Sequence, residues 1–477
     1  MADTRPHVVV VGAGLAGLSC ADRLSGPARV TVLEARDRVG GRCWSAHGWA
    51  DGQVGEHGGE LLETGQDHVL GLVAELGLEL ESRRPATVVP GAARLGGEVV
   101  ALDEVTGLSP VLATLAAQHA AVLAPHDDDP ARGRRRAELD EMSARDWLDT
   151  HVDGGRGSRL GRALDLMVTL NLGLPTDRLS ALSLHHMFVG LPDPGETGAF
   201  AFGNETASEE ATFGDVARGG VVETFHVAGG NDQLATGLAA RLPEGCVHLG
   251  TPLTAVRRRP DGRYDVATGA GKPLVADRVV LATPLPPLRR VDLTGAGLSA
   301  RRLEAIEQVP MGTHRKLLAQ LTRQPDADPA WPGLLVTDAP PTAAWDTSRA
   351  QSGSAGLLTF FSPDPWLAAS SAHGAATGEV PAAAAAVLAR VAPGLEGALG
   401  GRFWLDDWTA DPWSGGSYAA FGPGQYTRFA DLLPTPEGGI HFAGEHTSLA
   451  SFGYLDGAVG SGRRAAAEVA RSLFPGG

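Results

Sequence analysis

The chain has 477 residues, of which 43% are hydrophobic and 20% are charged, and its formal net charge is −16. One hydrophobic core rarely serves a chain of this length, so the length predicts two domains. The acidic balance argues against nucleic acid or an anionic membrane surface as a partner. It leaves the oligomeric state open, and a homodimer is compatible with it.

Neither end of the chain has the pattern of a targeting or anchoring segment. The stretch "MADTRPHVVVVGAG" enters an expected strand without the basic and apolar regions of a secretory signal. "AAAEVARSLFPGG" predicts a short amphipathic helix, not a membrane span. Cys20, Cys43 and Cys246 have scattered spacings that match neither a disulfide framework nor a metal site. We therefore expect a cytoplasmic protein with reduced thiols and no bound metal.

The first 35 residues predict a strand, a glycine-rich turn, a helix and a second strand. "HVVVV" is a continuous apolar run, typical of a parallel strand that is buried on both faces. "GLAGLSCADRLS" has apolar residues at helical spacing, and "RVTVLEA" predicts the second strand. Gly12, Gly14 and Gly17 follow the first strand as G-x-G-x-x-G. This spacing allows a tight turn, close approach of the backbone to a pyrophosphate, and close packing of helix on strand.

The residues after the second strand favour FAD as the ligand of this turn. Glu34 lies 22 residues after Gly12, where an acidic side chain accepts the ribose hydroxyls. "ARDRVGGR" follows directly, a run that is common in FAD proteins and unusual in NAD dehydrogenases. Gly40 and Gly41 allow the backbone to approach the pyrophosphate, and Arg42 adds positive charge.

Further elements follow along the chain. The charged block 125–137 predicts a solvated loop or a helix end. The prolines of "TPLPPL" argue against a helix or a central strand there. Helices are expected over 65–80 and within 138–190, and strands over 221–227, 247–256, 263–268 and 278–282.

These motifs resemble those of the flavin-containing amine oxidase superfamily, which includes monoamine, polyamine and L-amino-acid oxidases. Six more stretches keep the family's order: "VGEHGGELLETGQDHVLGLVAELGL", "HVAGGNDQLATGLAARL", "TPLTAV", "VVLATPLPPLRRVD", "IHFAGEHTS" and "GYLDGAVGSGRRAA". The resemblance implies an α/β fold. A discontinuous Rossmann-like FAD-binding domain (1–80, 225–290, 400–477) is interleaved with an α+β substrate-binding domain with a mixed sheet (81–224, 291–399).

The resemblance also implies which residues bind the cofactor. The FAD is expected to be non-covalent, because Ser417 stands where mammalian-type monoamine oxidases have the cysteine that bonds to the flavin. The residues assigned to FAD are Gly12, Gly14, Leu15, Ala16, Gly17, Glu34, Ala35, Arg36, Gly41, Arg42, Gly58, Gly59, Glu60, Leu253, Thr283, Trp413, Gly444, Glu445 and Leu455.

Three residues are implied in the chemistry. Lys316, four residues after Gly312 in "VPMGTHRKLLAQL", matches the family's active-site lysine, which holds a water against flavin N5. A cation there also favours oxygen reduction. Tyr418 in "WSGGSY" and Tyr454 in "FGYLDGAV" match the two walls of an aromatic cage around the reacting C–N bond.

Three functions remain open at this point. An amine oxidase would transfer hydride from substrate to FAD, giving an imine and then an aldehyde or ketone, with oxygen leaving as hydrogen peroxide. An L-amino-acid oxidase would need an arginine for the carboxylate; "GGELLETGQDHV" has none, but one from elsewhere can replace it. The third is a non-catalytic FAD protein or a desaturase-like relative acting on a polyene, against which Lys316 and the tyrosine pair argue.

The substrate side of the site is the least defined. In the family, the residue six before the Gly229-Gly230 pair often reaches the substrate cavity, and here it is Glu223. A carboxylate there would anchor a second positive charge and favour a diamine; the alternative is an exposed or locally paired side chain. His185 and His186, on a predicted helix, either face the cavity or serve as buried structural histidines.

Overall fold

The computed structural model describes residues 4–82, 92–101, 104–122, 130–189, 223–269, 271–328, 331, 333–338, 342–363 and 372–474. Glu223 is the first residue of a described strand, but its side chain lies outside the described part. Of the charged block 125–137, only residues from 130 onward are described, and a helix begins at Pro130.

The bounds of the described elements are as follows. In chain order, strands β1 to β21 are His7–Val11, Arg29–Leu33, Ser45–Ala46, Gly55–Glu56, Leu62–Glu63, Leu80–Ser82, Ala92–Leu95, Glu98–Ala101, Glu223–Val227, Val247–His248, Leu253–Arg258, Tyr264–Thr268, Leu274–Ala276, Arg278–Leu281, Arg315–Leu321, Leu334–Thr337, Ala343–Asp346, Gly356–Ser362, His373–Ala375, Leu399–Asp407 and Ile440–Phe442. Helices α1 to α13 are Leu15–Leu24, Asp67–Leu76, Leu108–Val122, Pro130–Glu141, Ala144–His151, Arg159–Leu172, Leu182–Val189, Asp232–Arg241, Leu285–Leu288, Ala300–Gln308, Glu379–Val391, Pro393–Glu396 and Leu455–Leu473.

A five-stranded parallel sheet has the order β10-β2-β1-β14-β21, so the first strand of the chain lies at its centre. The side chains of β1 alternate between two hydrophobic clusters. Val8 and Val10 pack with α1, α2, α8 and α13, whereas Val9 and Val11 pack with the β11-β12-β13 sheet on the other face. The expected strand buried on both faces is confirmed.

An eight-stranded mixed sheet has the order β19-β20-β15-β18-β17-β16-β7-β8. Its pairs are antiparallel except β16 with β7, which run parallel. Strand β15 lies between β20 and β18, and one of its faces packs in a cluster with α11. The fold is therefore mixed α/β with a mixed sheet, as the resemblance implies.

The two sheets draw their strands from different parts of the chain. All five parallel strands fall in the segments expected for the FAD-binding domain. Strand β20 differs, because it pairs with β15 in the mixed sheet although the expected boundary at residue 400 assigns it to the FAD-binding domain. The other boundaries stay a prediction.

The proline-rich stretch after β14 differs from the prediction. "LPPL" forms the one-turn helix α9, against the expectation that prolines exclude helix there. Pro286 and Pro287 are accommodated because the first turn of a helix needs no N–H donors.

Within the described ranges, no helix is long and apolar enough to cross a membrane. The three cysteines are buried and unbridged.

Candidate active site

One cavity of about 840 Å³ is lined by residues of both the parallel and the mixed sheet. Gly12 turns the chain into it with φ of 101°, and the Gly12 N–H donates to the carbonyl of Leu33 at 2.7 Å. A Cβ on Gly12 would come within 2.7 Å of the Ala282 carbonyl oxygen, so only glycine fits. Helix α1 then begins at Leu15 without a side-chain cap, and its first turn lines the cavity, which is the arrangement that binds phosphate.

Glu34 lies in the same cavity at the end of β2. Its Oε2 accepts the N–H of Ala13 at 2.7 Å and its Oε1 accepts the N–H of Arg36 at 2.9 Å. A carboxylate has about four lone-pair sites, so each oxygen can accept one more hydrogen bond from a ligand hydroxyl. The Arg36 guanidinium donates to Asp411 and, at 2.9 Å, to the hydroxyl of Ser414.

Arg42 ties the glycine-rich loop to the end of the chain. Its Nη1 donates to Glu445 Oε1 at 3.0 Å and to the carbonyl of Ser417 at 2.5 Å. Glu445 Oε2 accepts the N–H of Gly453 at 3.2 Å. The loops expected to bind the cofactor and the segments that bear the two tyrosines are therefore held together by the ion pair of Arg42 with buried Glu445.

The walls of the cavity fit a dinucleotide cofactor. A Cβ on Gly58 would collide with the carbonyl oxygen of Arg42, and a Cβ on Gly59 would come within 2.9 Å of Leu455. Glycine at these two positions therefore lets this cavity-lining segment pack closely on Arg42 and Leu455. The hydroxyl of Thr283 lines the cavity, is buried, and has no hydrogen-bond partner among the described residues. An unsatisfied buried hydroxyl is costly, and a bound ligand would satisfy it.

The cavity brings together nearly all of the residues expected around the cofactor. Gly17 does not line it; a Cβ there would collide with the Gly12 carbonyl oxygen, so Gly17 serves helix–strand packing. The expected residues that do line it are Gly12, Gly14, Leu15, Ala16, Glu34, Ala35, Arg36, Gly41, Arg42, Gly58, Gly59, Glu60, Leu253, Thr283, Trp413, Gly444, Glu445 and Leu455, together with Lys316, Tyr418 and Tyr454.

Lys316 is buried on β15, with only 3% of its surface exposed. Its Nζ donates to Glu60 Oε2 at 2.5 Å and to the carbonyl of Gly58 at 3.1 Å. The ring centroid of Trp345 lies 5.8 Å from Nζ. The lysine therefore reaches from the mixed sheet to the glycine pair Gly58-Gly59. We call the side of the cavity formed by this pair the cofactor wall, because the cofactor is expected there.

Glu60 accepts several further hydrogen bonds. The indole N–H of Trp345 donates at 3.0 Å, and the hydroxyls of Thr347 and Thr359 donate at 2.9 Å and 3.4 Å. Glu60 lines the cavity as expected, but its carboxylate is directed at the lysine and at three donors of the mixed sheet.

Both predicted cage tyrosines line the cavity. The hydroxyl of Tyr418 donates to the carbonyl of Asn171 at 2.5 Å and lies 3.3 Å from His314 Nε2. The Tyr418 ring packs on Gly453, where a Cβ would come within 3.4 Å of it. Tyr454 follows directly and caps the start of α13. The two segments that carry the rings are thus in contact; the cage role stays a prediction.

His314 is buried next to Ser417, the residue in place of the flavin-bonding cysteine. His314 Nε2 lies 2.7 Å from the carbonyl of Leu170, which can only accept, so Nε2 carries the hydrogen. Nδ1 then accepts from the hydroxyl of Ser417 at 2.7 Å. Burial lowers the pKa of His314 to about 4, so the ring is neutral at physiological pH.

A second polar cluster extends from Arg36. The two ring nitrogens of His373 lie within hydrogen-bonding distance of Asp406 Oδ1, at 2.8 Å, and of Asp411 Oδ2, at 3.2 Å. His57, which lines the cavity, has its Nδ1 3.0 Å from Asp406 Oδ2. Burial alone would lower the pKa of His373, but its hydrogen bonds to the two aspartates outweigh this and raise it to about 9. The positive charges of His373 and Arg36 are therefore balanced by the two aspartates within this cluster.

The structure adds residues that sequence reasoning missed. His314 lies two positions before Lys316, next to the start of β15, and its place inside the stretch "VPMGTHRKLLAQL" was a usable signal. Trp345, Phe361 and Asn171 line the cavity from segments without a motif. Of the histidine pair, His186 lines the cavity, whereas His185 is fully buried and burial lowers its pKa to about 4.

A parallel sheet with a glycine-rich turn and an acidic residue at a strand end, joined to a buried lysine at the same cavity, is the arrangement expected for a flavin-type oxidoreductase. The chain matches the family "Flavin containing amine oxidoreductase" over residues 15–470. It therefore belongs to that family and is a flavin-dependent amine oxidoreductase.

The chain is similar in sequence to two curated proteins and in fold to a solved structure. A protein named as a flavin-containing monoamine oxidase, AofH, from Mycobacterium tuberculosis is 30% identical, covering 98% of this chain and 97% of the relative. An L-amino acid dehydrogenase from Synechocystis sp. is 27% identical over 97% and 94% of the two chains. A structure of putrescine oxidase bound to putrescine superposes with a TM-score of 0.76 at 24% identity, over 98% and 99% of the two chains.

Proposed function

We propose that the protein oxidises a small-molecule amine with non-covalent FAD as its cofactor and oxygen as its acceptor. When bound, FAD supplies the two-electron acceptor for the substrate C–N bond, so that the amine becomes an imine that water converts to an aldehyde or ketone, and oxygen leaves as hydrogen peroxide. The residues of the chain bind and orient these groups.

The position of Lys316 is the observation that carries the proposal. It lies in the same cavity as the glycines, Glu34 and Thr283, and its Nζ is in contact with Gly58 of the cofactor wall. A buried ammonium at this point is suited to hold a water and to stabilise negative charge that develops during oxygen reduction. A protein that kept FAD only as a structural element would have no need of this buried charge.

The rest of the cavity suits an amine with an apolar body. Tyr418 and Tyr454 offer aromatic faces to a substrate nitrogen. The neighbouring walls are largely apolar, which favours burial of a hydrocarbon group. The apolar side chains of this wall are Met167, Leu170, Leu172, Met187, Leu334, Val336, Phe361 and Phe452.

Anaerobic mixing of the holoprotein with a panel of amines and amino acids tests the proposal. Loss of flavin absorbance with amines, and not with amino acids of similar side chain, is the expected result. Bleaching by amino acids alone would instead establish the second candidate, and no bleaching by either class would remove both.

An L-amino-acid oxidoreductase is the second candidate, because the cavity does contain an arginine outside the flavin block. Arg349 lines it, and its guanidinium pairs with Asp326 at 3.0 Å. The side chain of Asp326 is 59% exposed, so the pair is easily replaced by a substrate carboxylate. Arg349→Met should abolish bleaching by amino acids and leave bleaching by amines unchanged if this candidate holds.

The non-covalent state of FAD has a separate test. Ser417 has no thiol, and its hydroxyl is occupied with His314. Acid denaturation and centrifugation should leave all yellow colour in the supernatant; colour in the pellet would show a covalent bond elsewhere. Supernatant fluorescence that rises after phosphodiesterase cleavage distinguishes FAD from FMN.

A further inference from the structure

Lys316 and Glu60 form an ion pair that is buried on both sides. The two charged atoms lie 2.5 Å apart, and each side chain is only 4% exposed. Lysine is rare in this chain: of its 40 basic residues two are lysines, Lys272 and Lys316. Lys272 is exposed near a hairpin turn, so Lys316 is the buried ammonium of the protein.

A buried ammonium is stable only with a compensating charge. Desolvation disfavours the charged form of an unpaired lysine, and such a lysine gives up its proton at a much lower pH than a solvated one. Glu60 supplies the compensating charge, and its carboxylate is itself held by the indole of Trp345 and the hydroxyls of Thr347 and Thr359. A carboxylate that accepts this many hydrogen bonds is held in its ionised form.

Other titratable groups also face this lysine. Asp406 is its cross-strand neighbour on β20, but the oxygens of Asp406 are hydrogen-bonded with His57 and His373. His314 lies two residues before Lys316, just outside β15, and is neutral, since burial lowers its pKa to about 4. Among the described residues, Glu60 is the acidic side chain in direct contact with the lysine Nζ.

We propose that Glu60 is a positioning residue that keeps Lys316 as a charged ammonium directed at the cofactor wall across the pH range in which the enzyme works. This rests on the proposed function, in which that charge holds a water and promotes oxygen reduction. Without Glu60 the side chain would remain in the same buried site as a neutral amine, and its electrostatic contribution would be lost.

The charge of Lys316 can be measured directly, without any turnover. Incorporation of ¹³C,¹⁵N-lysine gives two sets of side-chain NMR signals, identified by the Lys316→Met variant, with exposed Lys272 as an internal reference. In the wild-type holoprotein the Lys316 signals should stay at ammonium positions from about pH 6 to pH 9. In Glu60→Gln, which preserves shape and removes the charge, they should move to amine positions within that range.

Two controls separate charge from general damage. Thr347→Val removes one hydrogen bond to Glu60 but keeps the carboxylate, so its Lys316 signals should stay at ammonium positions. The rate at which oxygen reoxidises the reduced holoenzyme should fall with rising pH in Glu60→Gln and become independent of pH in the Glu60→Gln, Lys316→Met double variant. Retained FAD absorbance shows in each case that the fold is intact.

Two results would overturn the proposal. One is a Lys316 signal at the amine position in the wild type, which needs no variant to fold. The other is a Glu60→Gln signal that stays at the ammonium position throughout. Neither result depends on the substrate, so the proposed function and the role of Glu60 are tested separately.

Discussion

The two parts of the cavity are built in different ways. The part that includes Gly12, Glu34 and Gly58 consists of backbone N–H groups, glycines and strand ends that come from compact motifs. The part around Lys316 consists of side chains that converge from separate helices and strands. The part predicted to bind the cofactor therefore depends on backbone conformation, and the part predicted to take part in the reaction depends on buried polar contacts between distant segments.

This difference predicts different consequences of mutation. Changes in the cofactor part should alter how much FAD is bound while leaving the chemistry of the bound fraction intact. Changes in the reacting part should alter rates at constant FAD content.

The largest effect is expected for Lys316→Met. The substitution keeps bulk on β15 and removes the ammonium, so FAD should remain bound while reduction or reoxidation of the flavin slows by about a hundredfold. Stopped-flow absorbance measures both half-reactions. Lys272→Met is the matched control and should behave as wild type; wild-type rates in Lys316→Met as well would mean that the lysine has no part in the reaction.

The second-largest effect is expected when either of the two tyrosines predicted to form the cage is truncated. Tyr418→Ala and Tyr454→Ala should each lower the rate of flavin reduction by about tenfold and cost a few kcal/mol of stability through the cavity left behind. Tyr418→Phe and Tyr454→Phe keep the ring and should retain most activity. The cage interpretation is wrong if Phe is as damaging as Ala at both positions, because the hydroxyls would then carry the effect.

Glu34→Gln should act on the part of the cavity that is predicted to bind the cofactor. Loss of the negative charge weakens the hydrogen bonds to the ribose hydroxyls, and we expect FAD affinity to fall by about tenfold. The reduction rate per bound flavin should stay at the wild-type value. A titration of apoprotein with FAD measures the first quantity and stopped flow the second; an unchanged affinity would show that the ribose lies elsewhere.

The smallest effect is expected at Glu223 and depends on the substrate. If its carboxylate anchors a second positive charge, Glu223→Gln should weaken the apparent affinity for a diamine by several-fold and barely change that for a monoamine of equal length. Steady-state kinetics with the matched pair of amines measures this. Equal effects on both would refute the anchor and leave Glu223 as a structural or exposed residue.

The same contrast explains how much the sequence could predict. The turn at Gly12 and the acid at Glu34 lie within one motif whose spacing has a direct geometric meaning. The contact of Glu60 with Trp345 joins residues 285 positions apart, and no local pattern encodes it. Strand β20 lies almost entirely in a segment predicted for the FAD-binding domain, but its pairing with β15 in the mixed sheet is decided by tertiary register and not by composition.

A crystal structure of the purified holoprotein tests the central claim most directly. We predict FAD in the cavity, with its adenosine ribose at Glu34 and the N5 edge of its ring system facing Lys316. FAD with the ring system directed away from Lys316, or with its ribose distant from Glu34, would contradict the claim that the two parts of the cavity serve one cofactor.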